Sequence, residues 1–302
     1  MDTEALLRDR APGMIVQRDV PMSGMTCLRV GGPAAFVAQI RRAEDAKAVF
    51  SCAKEQGLPV LVLGNGSNML VSDAGFPGIV ALMKNSAFGG ISVWDELVCA
   101  QAGAMLSELA RTAAESGLTG LECLSGIPGT VGGGVYMNCG AYGGQIADTV
   151  KNVTVLLNGE IEYLSREEMD FAYRHSRAMA ENALVLGAEF ELRPGDRDTI
   201  LETMRGLNAR RREKQPLEYP SAGSFFKRPE GYFAGALIEQ AGLKGLSAGG
   251  AQVSEKHAGF LINRGGATAA DFVSLAREVR RRVLERFGVI LEPEVRLIGV
   301  EL

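Results

Sequence analysis

A chain of 302 residues, at about 150 per domain, has room for two domains with cores of their own. Lys and Arg total 32 against 36 Asp and Glu, a formal charge of −4 that argues against a protein built to coat nucleic acid or anionic lipid, while 46% hydrophobic residues argue against disorder. Glycine is the outlier, at 38 residues against a usual share of about 7%, with neither a collagen period nor a Gly/Ser linker to account for it.

The opening MDTEALLRDR lacks an apolar core of signal-peptide length, and no apolar run reaches the roughly 20 residues of a membrane helix. A cytoplasmic protein with reduced thiols is expected. Ala46, Val49, Phe50 and Ala53 fall at helical spacing and predict a helix over Ala43–Gln56 that stops at Gly57. Leu58–Leu63 reads as a buried strand entering a glycine loop, and Met105–Ser116 as an amphipathic helix ending at Gly117. Asn158-Gly159 between Val150–Leu157 and Glu160–Leu164 predicts a hairpin, with Leu184–Leu192 a further strand. After Arg193-Pro194-Gly195-Asp196 the composition shifts. The pattern then gives a helix over Asp198–Arg212, a loop over Pro220–Pro229, a helix over Tyr232–Ala241 and a turn-rich stretch to Arg264. A helix over Ala269–Phe287 follows, with Thr268 and Asp271 as a capping pair, and then a last strand over Val289–Gly299. This order predicts an α+β fold with domains over 1–197 (two parts, about 1–85 and 86–197) and 198–302. The basic runs Arg210–Arg212 and Arg280–Arg282 read as solvated helix faces, some of them able to steer anionic ligands.

Five cysteines, Cys27, Cys52, Cys99, Cys123 and Cys139, are odd in number and lack CxxC spacing, which argues against a disulfide framework or zinc site. His175 and His257, far apart, leave no His-rich metal site, so no metal is expected.

The glycines concentrate in two loops. Gly64-Asn65-Gly66-Ser67-Asn68 permits positive φ and convergent N–H groups, with Ser67 and Asn68 adding side-chain donors. Met69 breaks the G-x-G-x-x-G pattern, and no Gly-Lys-Ser/Thr occurs. Taken alone, this loop fits an anion site and a tight turn equally well. From Gly126 to Gly143 there are seven glycines among small and apolar residues, too many for a turn and too ordered for a linker. A backbone free of side chains on one side, stiffened by Pro128, suits a flat, extended ligand. Two such cradles in one N-terminal domain suggest a large phosphate-bearing cofactor.

The runs Thr26–Ala34 (TCLRVGGPA), Leu63–Val71 (LGNGSNMLV) and Leu124–Gly133 (LSGIPGTVGG) resemble the flavin-binding half of the UDP-N-acetylenolpyruvoylglucosamine reductase (MurB) family. Tyr173–Arg177 (YRHSR), Gln215–Pro229 (QPLEYPSAGSFFKRP), His257–Asn263 (HAGFLIN) and Leu291–Arg296 (LEPEVR) follow in the family's order. The uninterrupted Gln215–Pro229 run is similar to the shorter family type, which lacks an extra substrate loop. The resemblance implies a two-part FAD-binding domain of the vanillyl-alcohol-oxidase (PCMH) type and a C-terminal α+β substrate domain. It also implies NADPH as co-substrate and reduction of UDP-N-acetylglucosamine enolpyruvate to UDP-N-acetylmuramate in peptidoglycan precursor synthesis. Matched to the family's motifs, the cofactor residues are Arg29, Gly64, Asn65, Gly66, Ser67, Asn68, Ser125, Gly126, Ile127, Pro128, Gly129, Thr130, Gly132 and Gly133.

Hydride addition to the β carbon of the enol ether builds negative charge on its carboxylate, which a permanently charged, forked guanidinium suits. By the resemblance that group is Arg174, with Glu294 as a second enolate-stabilising group at the end of the last strand and Ser224 as proton donor to the α carbon. Without the resemblance these three read as a surface ion pair, a strand-edge charge beside Arg296 and a turn serine. Tyr173, Lys227, Arg228, His257 and Arg296 are substrate-binding candidates, and His257 reads equally well as a structural hydrogen-bonder. Arg228 stands where some members have Asn, Gln145 where many have Glu, and Cys139 where small residues are usual. Relatives of this fold attach flavin through Cys or His, but non-covalent FAD is expected here. Partners are expected to be small molecules alone, with neither nucleic acid nor membrane, and a monomer is preferred. The competing readings are an FAD-dependent oxidase or dehydrogenase of the same fold and a non-catalytic UDP-sugar-binding protein.

Overall fold

The computed structural model, which describes residues 2–84 and 86–302, mixes helices and short strands without a regular βαβ rhythm. Two compact units emerge. The first comprises Met1–Arg18, Phe36–Asn65 and Gly78–Arg211, and the second Asp19–Ala35, Gly66–Pro77 and Arg212–Leu302. The expected inner limit near residue 85 falls on Asn85, outside the described residues.

In the first unit, the helix Ala43–Gln56 buries Ala46, Val49 and Ala53, which its apolar period aligns on one face. Asp45 accepts from the backbone N–H groups of Arg41 (2.9 Å) and Arg42 (3.0 Å), and Gly57 closes the helix at φ 63°. A four-stranded sheet runs in the order Val16–Pro21, Pro33–Gln39, Phe76–Leu82, Val60–Leu63, its last pair parallel. A five-stranded antiparallel sheet has the order Glu160–Ser165, Val150–Leu157, Leu184–Glu191, Leu97–Gln101, Ile91–Trp94. Its hairpin turns at Asn158 (φ 52°) and Gly159 (φ 91°), the paired positive φ of a type I′ turn. The helix Leu106–Glu115 packs Leu106, Leu109, Ala110 and Ala113 into the same core.

In the second unit, Ser221–Ser224, Phe260–Asn263, Ala251–Val253 and Ser247–Ala248 form an antiparallel sheet. The loop expected over Pro220–Pro229 therefore contains a strand, and the turn-rich stretch before Arg264 contributes three more. The helix Ala269–Phe287 covers them, burying Phe272, Leu275, Ala276, Val279 and Val283. Thr268 and Asp271 form its capping box, and Gly288 ends it at φ 69°. The final strand is only Arg296–Ile298 and pairs in parallel with Met69–Val71, which places 66–77 in this unit. Glu294 thus precedes the last strand rather than ending it, because Pro293 and the pairing with residues 225–227 hold this segment away from a regular ladder.

Candidate functional site

The two glycine loops meet within the first unit. A Cβ on Gly64 would lie 2.4 Å from Thr130 Oγ1, so the bare backbone at Gly64 is what leaves room for the Thr130 side chain. Asn65 Nδ2 donates to the Pro128 carbonyl at 2.6 Å, and its Oδ1 accepts from Lys84 Nζ at 2.6 Å. Thr130 is buried and caps the short helix Val131–Tyr136 by accepting from Gly133 N–H. Gly132 N–H donates to the Ala102 carbonyl (2.9 Å), and Leu106 N–H donates to the Gly129 carbonyl (2.9 Å). Gly132 and Gly133 thus spend their amides inside the fold and contribute bare backbone to the wall. Ser125 Oγ accepts from Asn208 Nδ2 at 3.3 Å, Gly126 lies against Asn208 and Arg211, and Ile127 packs on the core. Arg211 is therefore half-buried rather than solvated. Of the second basic run, Arg280 is half-buried with Nε donating to the Leu291 carbonyl, and Arg281 and Arg282 pair with Glu278.

Arg174 occupies a two-residue turn. Ala172 and His175 exchange backbone hydrogen bonds of 3.2 and 3.1 Å, and Arg174 takes φ 54°, a left-handed conformation that costs a residue with a Cβ about 1 kcal/mol. Its guanidinium lies 5.2 Å from the Tyr173 ring centroid. Two anchors tie this turn to the glycine-rich segment. Asn138 Nδ2 donates to the Ala172 carbonyl (3.0 Å), and Ser176 Oγ donates to the Tyr136 carbonyl (2.7 Å). Buried Asn138, itself at φ 43°, also donates to Gln145 Oε1 (3.2 Å) and accepts from Ala147 N–H (3.0 Å). Gln145 in turn donates through Nε2 to Asp148 (3.3 Å), a bond an ionised carboxylate in its place could not supply. Burial pushes the Cys139 thiol up to about 12, against the opposing charge of Arg174. Cys123 is pushed to about 11 by burial and then by Glu122.

The second unit assembles the remaining candidates. Ser224 ends a strand after Gly223 (φ 76°) and is exposed, while the next two side chains, Phe225 and Phe226, are buried edge-to-face at 5.1 Å. Glu294 N–H donates to the Phe225 carbonyl (2.9 Å) and Lys227 N–H to the Glu292 carbonyl (2.8 Å), so Ser224 and Glu294 flank one backbone pairing. Asn68 joins them, its Nδ2 donating to the Glu294 carbonyl (3.1 Å) while Arg296 N–H donates to its own carbonyl (3.1 Å). Gly66 (φ 61°) sits against the Met25 carbonyl, where a Cβ would fall at 2.2 Å, and the turn that follows carries Arg29 at φ 56°. Lys227 Nζ pairs with Glu292 (3.3 Å), and Arg228 lies 4.6 Å from the Phe233 ring centroid. His257 Nδ1 accepts from Gly259 N–H (3.1 Å), which puts the neutral ring's proton on Nε2, and burial lowers its pKa. This gives His257 a structural hydrogen bond.

Lys84, Asn138 and Asn208 carry no signal of their own in the sequence, and Arg211 reads there only as part of a basic run. Each belongs to the wall through partners distant in the chain. The Gly126 and Asn138 positions inside the glycine-dense segment were the available signal.

The C-terminal domain model of UDP-N-acetylenolpyruvoylglucosamine reductase matches residues 215–298, and an FAD binding domain model matches residues 34–164. A UDP-N-acetylenolpyruvoylglucosamine reductase of Lachnoclostridium phytofermentans is 50% identical over 92% of this chain and 91% of its own. That of Lactobacillus delbrueckii subsp. bulgaricus is 44% identical over 97% and 98%. The solved structure of the Thermus caldophilus reductase superposes with a TM-score of 0.79 at 36% identity, covering 95% of this chain and all of that one. The glycine wall suits FAD. Its bare backbone accepts a flat ring, and the donors around it are hydroxyl, amide and cationic groups fit for a diphosphate, from Ser125, Asn65, Lys84 and Arg211.

Proposed function

This chain belongs to the UDP-N-acetylenolpyruvoylglucosamine reductase family, and on that premise we propose that it reduces UDP-N-acetylglucosamine enolpyruvate to UDP-N-acetylmuramate in the cytoplasm, with NADPH as electron source. Membership over nearly the whole chain carries this reading, because both the flavin half and the C-terminal half match. The fold is the two-part FAD-binding domain of the vanillyl-alcohol-oxidase type with a C-terminal α+β domain. In the proposed division of labour 1–197 holds FAD and 198–302 the sugar nucleotide, except that residues 198–211 group structurally with the former and 19–35 and 66–77 with the latter.

FAD, when bound, would supply hydride chemistry at the β carbon of the enolpyruvyl ether, with NADPH as the electron source. Arg174 holds the carboxylate as charge develops on it, and its strained turn fixes the direction of the guanidinium. Glu294 would, in its acid form, donate a hydrogen bond to the same enolate. Ser224 gives its hydroxyl proton to the α carbon and recovers one from solvent. Tyr173, Arg228 and Arg296 bind the sugar nucleotide. Lys227 offsets charge near Ser224 while tethered to Glu292.

Replacing Ser224 with Ala tests the assignment. The variant is expected to accept electrons from NADPH at the normal rate yet to reduce the sugar nucleotide at least ~10²-fold more slowly, the lower range for a lost proton donor. Near-normal turnover would remove Ser224 from that role. The oxidase reading makes no use of the combination Arg174, Ser224 and Glu294, and the non-catalytic reading predicts no turnover at all.

A further inference from the structure

Arg211 stands apart from the other arginines of its helix, Arg197–Lys214. It is half-buried, and its side chain lies against Gly126 of the second glycine loop. A Cβ added to Gly126 would sit 3.0 Å from Arg211 Cδ and 2.5 Å from Asn208 Oδ1, so the absence of a side chain at Gly126 is what admits the arm. Asn208, one helical turn earlier, holds the helix to this loop through Ser125 Oγ. Among the described residues no carboxylate pairs with Arg211, and the Tyr142 phenol lies near it. The next residue back, Arg210, lies 5.1 Å from the Tyr142 ring centroid. A guanidinium taken partly out of water without a counter-charge is a cost to the fold, and burial depresses its pKa accordingly. Such a cost persists where a ligand supplies the anion.

We propose that Arg211 is the fixed cation of the cofactor wall, facing an anionic oxygen of bound FAD. This rests on the FAD reading above and deepens it. Two parts of that cofactor carry the shared chemistry, the diphosphate and the N1–C2=O edge of the ring once reduced. Arg211 is a positioning residue and takes no part in proton or hydride transfer.

The test uses the FAD-loaded protein and its Arg211→Met and Arg211→Lys variants, with two readouts: FAD release on serial dilution, followed by flavin fluorescence, and the flavin midpoint potential. The Met variant is expected to release FAD at least tenfold more readily, or to favour oxidised over reduced flavin by at least tenfold, about 30 mV for a two-electron couple. The Lys variant, which keeps the charge, is expected to stay within threefold of the parent. Loss of affinity at unchanged potential assigns the charge to the diphosphate, and a lowered potential assigns it to the ring. If Met matches the parent in both readouts, or if Lys fails as badly as Met, Arg211 acts through shape or not at all and the proposal is overturned. Parent protein that carries no FAD would instead overturn the FAD reading itself.

Discussion

Asn68 Nδ2 donates to the backbone carbonyl of Glu294 across 226 positions of sequence, at 3.1 Å. The Asn68 carbonyl accepts from Arg296 N–H at 3.1 Å, so one residue of the first glycine loop brackets the segment that carries Glu294. That segment precedes its strand and is also held by backbone bonds to residues 225–227. Asn68 is therefore a positioning group for Glu294 as well as a candidate flavin contact.

Replacing Asn68 with Ala or Asp removes the donor to the Glu294 carbonyl. The expected loss of stability is about 1–2 kcal/mol in urea unfolding. The expected kinetic signature is selective: reduction by NADPH proceeds as in the parent, while oxidation by the sugar nucleotide slows tenfold or more, about 1.4 kcal/mol. A variant slowed equally in both half-reactions would show that Asn68 serves FAD rather than Glu294.

Arg174 allows backbone and charge to be separated. Arg174→Ala keeps the left-handed conformation, and Arg174→Gly relieves about 1 kcal/mol of it. Both remove the guanidinium, so both are expected to lower turnover by about 10² or more, the scale of one lost oxyanion donor. The Gly variant should melt no lower than the Ala variant. Recovered activity in the Gly variant would mean that turn shape, not charge, is what the reaction uses.

Cys139 tests how the flavin is held. Its thiol, pushed up to about 12, stays protonated through neutral pH and is a poor nucleophile toward a flavin ring. FAD should therefore appear in the supernatant after acid precipitation. A yellow pellet would contradict non-covalent binding. The pH dependence has a definite sign. A raised pKa in the folded protein means the unfolded chain ionises first, so the contribution of Cys139 to stability is complete below about pH 9 and is lost as pH climbs toward 12. Thermal melts of the parent and Cys139→Ala across that window should converge as pH rises.

Local signals carried much of the fold. Ala43–Gln56 and Ala269–Phe287 have both ends where the sequence puts them, because an apolar period, a capping side chain and a left-handed glycine are all written within one segment. The strand Ser221–Ser224 was not legible. Ser-Ala-Gly-Ser has turn chemistry, and its strand character comes from pairing with Phe260–Asn263, with a register shift between Ser221 and Ser224. The same limit explains the site. Gly64 and Gly126 announce a cradle, but what they make room for, Thr130 Oγ1 and the Arg211 side chain, depends on approaches that no local pattern encodes. A run of three arginines reads as solvated until one is seen to lie against a glycine.

In the proposed reaction electrons pass from NADPH through FAD to an enolpyruvyl sugar nucleotide. Under anaerobic conditions, one equivalent of NADPH added to the purified yellow protein should bleach the flavin absorbance, and UDP-N-acetylglucosamine enolpyruvate added next should restore it with formation of UDP-N-acetylmuramate. Bleaching that persists after the sugar nucleotide is added, while oxygen or another acceptor restores the colour, would contradict the account and favour an oxidase of the same fold.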